Sequence, residues 1–239
     1  MNTNFFQSRV YALRFPIVLI VLAGMGITKP MLCADIKLPA IFGDHMVLQR
    51  NQVIPVWGWA DAGEQVTIAL GNHQVETQAD RNGRWSVNLN PRPAGGPLSM
   101  QIRGKNSVRL EDILIGEVWV CSGQSNMQWP MTQVENAHQE ITTANHGDIR
   151  LFSVTRTTSE IPLNDVAGYW KRCSPQTVGS FSAVGYFHGR ELQRELGVPV
   201  GLINSSWGGT RIEPWTDRQR LQKVPDIDTQ LAWGGTELV

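Results

Sequence analysis

Two loops in this sequence combine glycine with small hydroxyl side chains in a way that suits acyl transfer. The first is Ser122-Gly123-Gln124-Ser125-Asn126, after the apolar run Ile113 to Cys121. The second is Ser205-Ser206-Trp207-Gly208-Gly209-Thr210, after Val198 to Asn204. A serine just past a strand end can present its Oγ to solvent. If a helix starts there, the serine's own N–H is free to donate to an oxyanion. The N–H groups of Gly208 and Gly209 can form the other side of that hole, because glycine lets backbone approach a ligand closely. A nucleophile and donors converging on one oxygen are the minimum geometry for ester cleavage. On its own, Gly123-Gln124-Ser125 is also an ordinary turn signal. It is not the five-residue Gly-x-Ser-x-Gly elbow, since Met127 stands two positions after Ser125.

The remaining polar and aromatic residues of the two loops have double readings. Gln124 and Asn126 flank Ser125 and can face a substrate, although Gln124 can equally fix the loop by hydrogen bonds. Trp207 and Trp215 can pack or stack on a sugar. Arg211 can meet a sugar carboxylate or pair with Glu213. A general base for Ser125 is harder to find. His138 and His146 follow the first loop, His188 sits within a long helical pattern, and no histidine comes later. Without a base the serine hydroxyl stays protonated and is a poor nucleophile at neutral pH. No Cys/His spacing resembles a zinc site, and the chemistry implied needs no metal or organic cofactor.

The elements that must position these loops change character along the chain. From 35 to 112 the pattern is all-β. Runs such as "VIPVWGWA", "EQVTIAL", "HQVETQA" and "RWSVNLN" are cut by Asp61-Ala62-Gly63, Gly71-Asn72 and Asn82-Gly83. Strands at this spacing, with hairpins expected at "TIALGNHQVET" and "TQADRNGRWSV", predict a β-sandwich. From 113 to 239 the pattern is α/β. "DILIGEVWVCSG", "IRLFSV" and "VPVGLIN" read as buried parallel strands. "MTQVENAHQEITTA" reads as a helix capped by Asn145-His146-Gly147. "SFSAVGYFHGRELQRELG" reads as a second helix, capped by Ser180, stopped by Gly197, and buried along Phe181, Val184, Phe187, Leu192 and Leu196. In such a sheet ligands bind beyond the carboxyl ends of the strands, which is where both loops fall.

Composition sets the outer bounds. The chain has 239 residues, 21 basic and 21 acidic, so nothing favours a nucleic-acid or anionic-membrane partner. Residues 1–34 read as a secretory signal peptide: Arg9 and Arg14 precede the apolar run Phe15 to Ile27, which is too short to span a bilayer, and Ala34 suits cleavage. The expected location is periplasmic or extracellular, with no stable membrane anchor. Removing that segment leaves Cys121 and Cys173, as one disulfide or as two buried thiols.

"IGEVWVCSGQSNMQWPM" and "GLINSSWGGTRIEPW" together resemble the sialate O-acetylesterase family, carbohydrate esterases of the SGNH (GDSL-like) hydrolase superfamily. "LPAIFGDHMVLQRNQVIPVWGWADAGEQV" resembles the β-sandwich that precedes the hydrolase domain in bacterial members. The resemblance implies a flavodoxin-like, three-layer α/β hydrolase acting on O-acetylated sugars through an acyl-serine. It makes Ser125 the nucleophile and one oxyanion donor, with Gly209, or alternatively Gly208, as another. The family pattern also needs a later oxyanion asparagine and an Asp-x-x-His, and this sequence has neither. The expectation is therefore an incomplete hydrolase domain, the N-terminal portion of a longer esterase, nearly inactive alone. An acetylxylan-type esterase and a non-catalytic carbohydrate-binding protein are the alternatives.

Overall fold

The computed structural model describes residues 35–159 and 161–225. The expected signal peptide lies outside the described residues. Among the described residues no helix is long and apolar enough to cross a membrane.

Six strands come first: β1 (Val47–Gln49), β2 (Ile54–Trp59), β3 (Gln65–Leu70), β4 (His73–Gln78), β5 (Arg84–Leu89) and β6 (Gly95–Arg103). The long β7 (Ser107–Gly123) leads into α1 (Ser125–Gln128), a 3₁₀ turn at Met131–Gln133 and α2 (Ala137–Thr143). Strands β8 (His146–Ser153) and β9 (Trp170–Cys173), helix α3 (Ala183–Leu196) and β10 (Val200–Ser206) follow. A 3₁₀ turn (Glu213–Trp215) and α4 (Arg218–Leu221) end the described chain.

The principal sheet runs β4-β3-β6-β7-β10-β8-β9, with β1 also on β7, while β2 and β5 form a separate pair. The result is a mixed, sheet-dominated α/β fold with few helices. Strand β7 runs unbroken through position 112, so the all-β and α/β segments share one strand. Its first half pairs antiparallel with β6, from Arg103↔Ser107 to Gly95↔Ile115. Its second half pairs parallel with β10, from Val200↔Glu117 to Ser206↔Gly123. Gly116 lies at the change of partner, where an added Cβ would stand 2.0 Å from the Pro199 carbonyl oxygen. Only glycine lets the two backbones come this close.

Two apolar clusters result. The first joins Val56 and Trp85 of the β2–β5 pair to Ile68, Met100, Ile102 and Ile113 of the principal sheet, and extends to Phe152 and Trp170. The second lies on the other face of β8 and β10, where Ile149, Leu151, Val200 and Leu202 meet Ala144, Phe181 and Tyr186. Alternation along β8 and β10 separates the two: Leu151 and Leu202 face the helices, while Phe152 and Ile203 face the N-terminal segment.

Several local expectations are corrected. The Asp80–Arg84 turn forms, with Asp80 Oδ1 accepting from Asn82 and Arg84 N–H. The strands on either side of it nevertheless separate: β4 pairs with β3, and β5 with β2. Trp85, 3% exposed, must point into the space between the sheets, and glycine at 58 leaves room for its ring. The first expected helix is confined to Ala137–Thr143 by Asn136, in the left-handed region at φ 57°, and its C-cap is Ala144 rather than Asn145-His146-Gly147, because His146 already begins β8. Ser182, not Ser180, caps α3, accepting from Gly185 N–H at 3.0 Å. The buried face of α3 is Ala183, Gly185, Tyr186 and Gly189, while Val184 and Leu196 are exposed. The glycines explain the rotation. A Cβ on Gly189 would lie 2.5 Å from Leu202 Cδ1, and one on Gly185 3.0 Å from Cys121 Sγ. The helix settles on its small-residue stripe, closer to the sheet than a leucine face allows.

Candidate active site

Strand β7 ends at Gly123, whose φ of 143° is open to glycine and strained for other residues. The chain bends there through Gln124 and enters α1 with Ser125 as its first residue. Gln128 N–H donates to the Gln124 carbonyl and Trp129 N–H to that of Ser125, at 2.9 and 3.0 Å. The Ser125 N–H stands at the start of the turn, where no carbonyl of the same helix can accept it. Ser125 and Asn126 are exposed. The turn is anchored from below. Ala183 N–H donates to the Trp129 carbonyl at 2.8 Å and Met131 N–H to that of Phe181 at 3.1 Å, which ties the loop to the start of α3.

The second loop arrives alongside because β10 is the direct neighbour of β7. Ser206 pairs with Gly123, and Trp207 N–H donates to the Gly123 carbonyl at 3.0 Å. Gly208 then lies against Ser125: a Cβ there would stand 3.2 Å from both Ser125 Cα and Oγ. Its N–H donates to Gln128 Oε1. Gly209 follows at φ 80°, with open space where a side chain would be. With the Gly208 N–H already spent, Gly209 is the better placed of the two expected oxyanion glycines. Thr210 Oγ1 donates to the Trp207 carbonyl at 2.7 Å and accepts from Trp215 Nε1 at 2.8 Å, closing the loop on itself. Trp207 is half-buried. Arg211 pairs with the buried Glu213 at 3.0 Å, the second of its two readings.

Gln128 was not singled out in the sequence, yet it links the two loops. The available signal was its i+3 spacing from Ser125 on one helical turn. A base for Ser125 is not found among the histidines. All five histidines are described, and none hydrogen-bonds Ser125 among the described residues. His45 binds Asp112 at 2.6 Å, at the start of the apolar half of β7. His188 stacks edge-on against Trp119, four residues upstream of Gly123. His146 opens β8; Ile149, three residues on, is level with Val200, about 20 Å before Ser206 along the strands. His138 is exposed on α2, and His73 lies on β4. Cys121 and Cys173 are buried free thiols beneath α3. Burial raises the Cys121 thiol and pushes Cys173 up to about 12, against a smaller opposing pull from a hydrogen bond to the His146 backbone.

No family model matches the chain. It is 36% identical over 207 residues to a sialate O-acetylesterase of Rattus norvegicus, covering 78% of this chain and 38% of the relative. It is 34% identical over 229 residues to the Mus musculus protein of the same name, covering 87% and 42%. Among solved structures it superposes on a carbohydrate acetylesterase from Xanthomonas citri with TM-score 0.77 and 37% identity, covering 79% of this chain and 44% of that one. The chain thus spans about two fifths of the length of the curated relatives it matches. Within that span, a nucleophile-type loop and a glycine loop meet at the ends of neighbouring parallel strands, and the chain belongs to the sialate O-acetylesterase family.

Proposed function

We propose that these residues form the nucleophile side of a carbohydrate O-acetyl esterase acting through an acyl-serine. The observation that carries this reading is the seating of Gly208 against Ser125 Oγ at the ends of two paired parallel strands. Ser125 Oγ attacks the acetyl carbonyl. The oxyanion is taken by the N–H groups of Ser125 and Gly209, and the sugar hydroxyl leaves with a proton. Water then releases acetate from the acyl-serine. Gln124, Asn126, Trp207 and Arg211 border the space a sugar would occupy, although Arg211 is held by Glu213. Sialic acid is the substrate suggested by the relatives' names; plant-glycan acetyl esters fit the same chemistry. With a leader removed near Ala34, the protein would meet these glycans outside the cytoplasm.

No histidine of this chain stands at Ser125, so a weakly catalytic or purely glycan-binding chain is the second reading. Binding and an oxyanion hole can leave about 10³ to 10⁴ over water when a triad member is missing. The test is acetate release from 4-nitrophenyl acetate and an O-acetylated sugar by the 239-residue chain and by Ser125→Ala. A low rate that Ser125→Ala abolishes supports the nucleophile assignment. Equal rates in the two proteins would remove it.

A further inference from the structure

A cavity lies away from both loops, on the outer face of the β2–β5 pair. It has a volume of about 390 Å³. Trp57 and Trp59 line one side; Gln78, Asp80, Arg84 and Asn164 are among the polar side chains that complete it. Strand alternation puts both tryptophans on one face. Val56 and Gly58 point inward and are buried, so Trp57 and Trp59 point outward, about 7 Å apart along the strand. Across the pair, Trp57 stands opposite Ser86 and Trp59 opposite Arg84.

The wall is built rather than incidental. The Phe42 ring meets Trp57 edge-on at 4.7 Å, and Lys37 Nζ lies 5.8 Å from the Trp59 ring centre, so both indoles have fixed neighbours while Trp57 remains 38% exposed. Gln78 Nε2 donates to the Gly63 carbonyl at 2.9 Å, which orients its amide. Asn164 is held through its neighbour Asp165, whose Oδ1 accepts from Ala40 N–H at 2.8 Å. Arg84 has no carboxylate partner among the described residues. Gly58 and Trp85, whose side-chain positions face the core, contribute to the floor of the cavity.

We propose that this cleft is a glycan-binding site, separate from the Ser125 loops, which stacks a pyranose ring on Trp57 and Trp59. A pyranose offers an apolar C–H face to an indole and a rim of hydroxyl groups to amide, carboxylate and guanidinium side chains. That division matches the two sides of the cavity. Pockets of this size typically pair aromatic walls with a few placed polar groups. A peptide groove would instead need apolar slots, and the side opposite the tryptophans is polar. The proposal does not depend on Ser125 being a nucleophile. It would tether the protein to a polysaccharide while another part of the surface meets an ester.

Titrations of the full 239-residue chain in the Ser125→Ala background keep ester chemistry out of the measurement. Xylohexaose, cellohexaose and sialyllactose are added while tryptophan fluorescence is followed. Saturable quenching by one or more of them is expected, and which saccharide binds distinguishes neutral glycan from sialylated glycan. Trp57→Ala should weaken that binding at least tenfold. Ser86→Arg, which fills the cleft without removing a core residue, should do the same, with unchanged thermal unfolding as the control for folding. Absence of quenching by all three saccharides would overturn the proposal. So would affinity that survives both substitutions, or binding of a proline-rich peptide in place of sugar.

Discussion

At the residue scale, the site depends on what each backbone N–H is already doing. Gly208 lies against Ser125, but its N–H is held by Gln128 Oε1, so Gln128 acts as a positioning residue for the second loop. Replacing Gln128 with Ala removes that acceptor. A hydrogen bond is worth about 1 kcal/mol net, so the Gly208 amide should exchange with solvent about fivefold faster in NMR hydrogen-exchange measurements. An unchanged rate would mean that the side chain does not hold the loop. The two thiols make a second prediction. Burial keeps both protonated, with Cys173 pushed up to about 12, and reactivity follows the thiolate. Iodoacetamide at pH 8 should leave Cys121 and Cys173 unmodified in the folded protein and alkylate both in urea, as read by peptide mass spectrometry. Labelling of either one in the native state would contradict the burial.

At the element scale, β7 connects the two parts of the molecule through its glycine pivot. Gly116 lies where pairing passes from β1 and β6 to β10, with the Pro199 carbonyl where a side chain would go. The obstacle is backbone, so it cannot swing aside. Gly116→Ala should therefore lower stability by about 2–3 kcal/mol, in the upper range for overpacking, read as a reduced urea midpoint. A shift below about 0.5 kcal/mol would show that β7 and β10 can move apart at little cost. The same principle, applied to α3, explains why Val184 and Leu196 are exposed although Phe181 is buried and Phe187 and Leu192 pack against the same cluster. Hydrophobic periodicity ranks side chains by polarity, whereas the packing here is governed by how close Gly185 and Gly189 can come to Cys121 and Leu202.

At the scale of the whole molecule, one half-buried carboxylate ties four segments together. Asp112, in the left-handed region at φ 55°, accepts from Arg150 at 2.6 Å and Arg172 at 2.8 Å and binds His45 Nδ1 at 2.6 Å. Burial alone would raise its pKa. Hydrogen bonds from Arg150 and His45, the Arg150 charge and the Arg172 hydrogen bond outweigh it and hold the carboxyl well below the usual carboxylate range. Its stabilising contribution is therefore complete above the unfolded-state value of about 3.9 and is lost as pH falls toward the folded value. Asp112→Asn keeps a side chain that tolerates this backbone but leaves the buried Arg150 uncompensated. It should cost about 3 kcal/mol or more at pH 7, and the deficit should shrink below about pH 4. A deficit independent of pH would assign the effect to shape rather than charge.

Much of this was legible in the order of residues. Turn chemistry at Gly71-Asn72 and the apolar runs ending at Cys121 and Asn204 placed the strands. The same runs showed that Ser125 and Gly208-Gly209 follow strand ends. These features are local: backbone preferences and alternation act over a few residues and need no partner. Partner choice is different. That β5 leaves β4 for β2, that β10 inserts between β7 and β8, and that Gly208 consequently touches Ser125 are contacts between residues far apart in the chain. They depend on how closely two surfaces fit, on the space left by Gly58, Gly116 and Gly189, and on a glutamine reaching across a loop. A one-dimensional pattern of polarity carries none of that, so the sequence by itself determined the parts of this site, and only the tertiary structure decided that they meet.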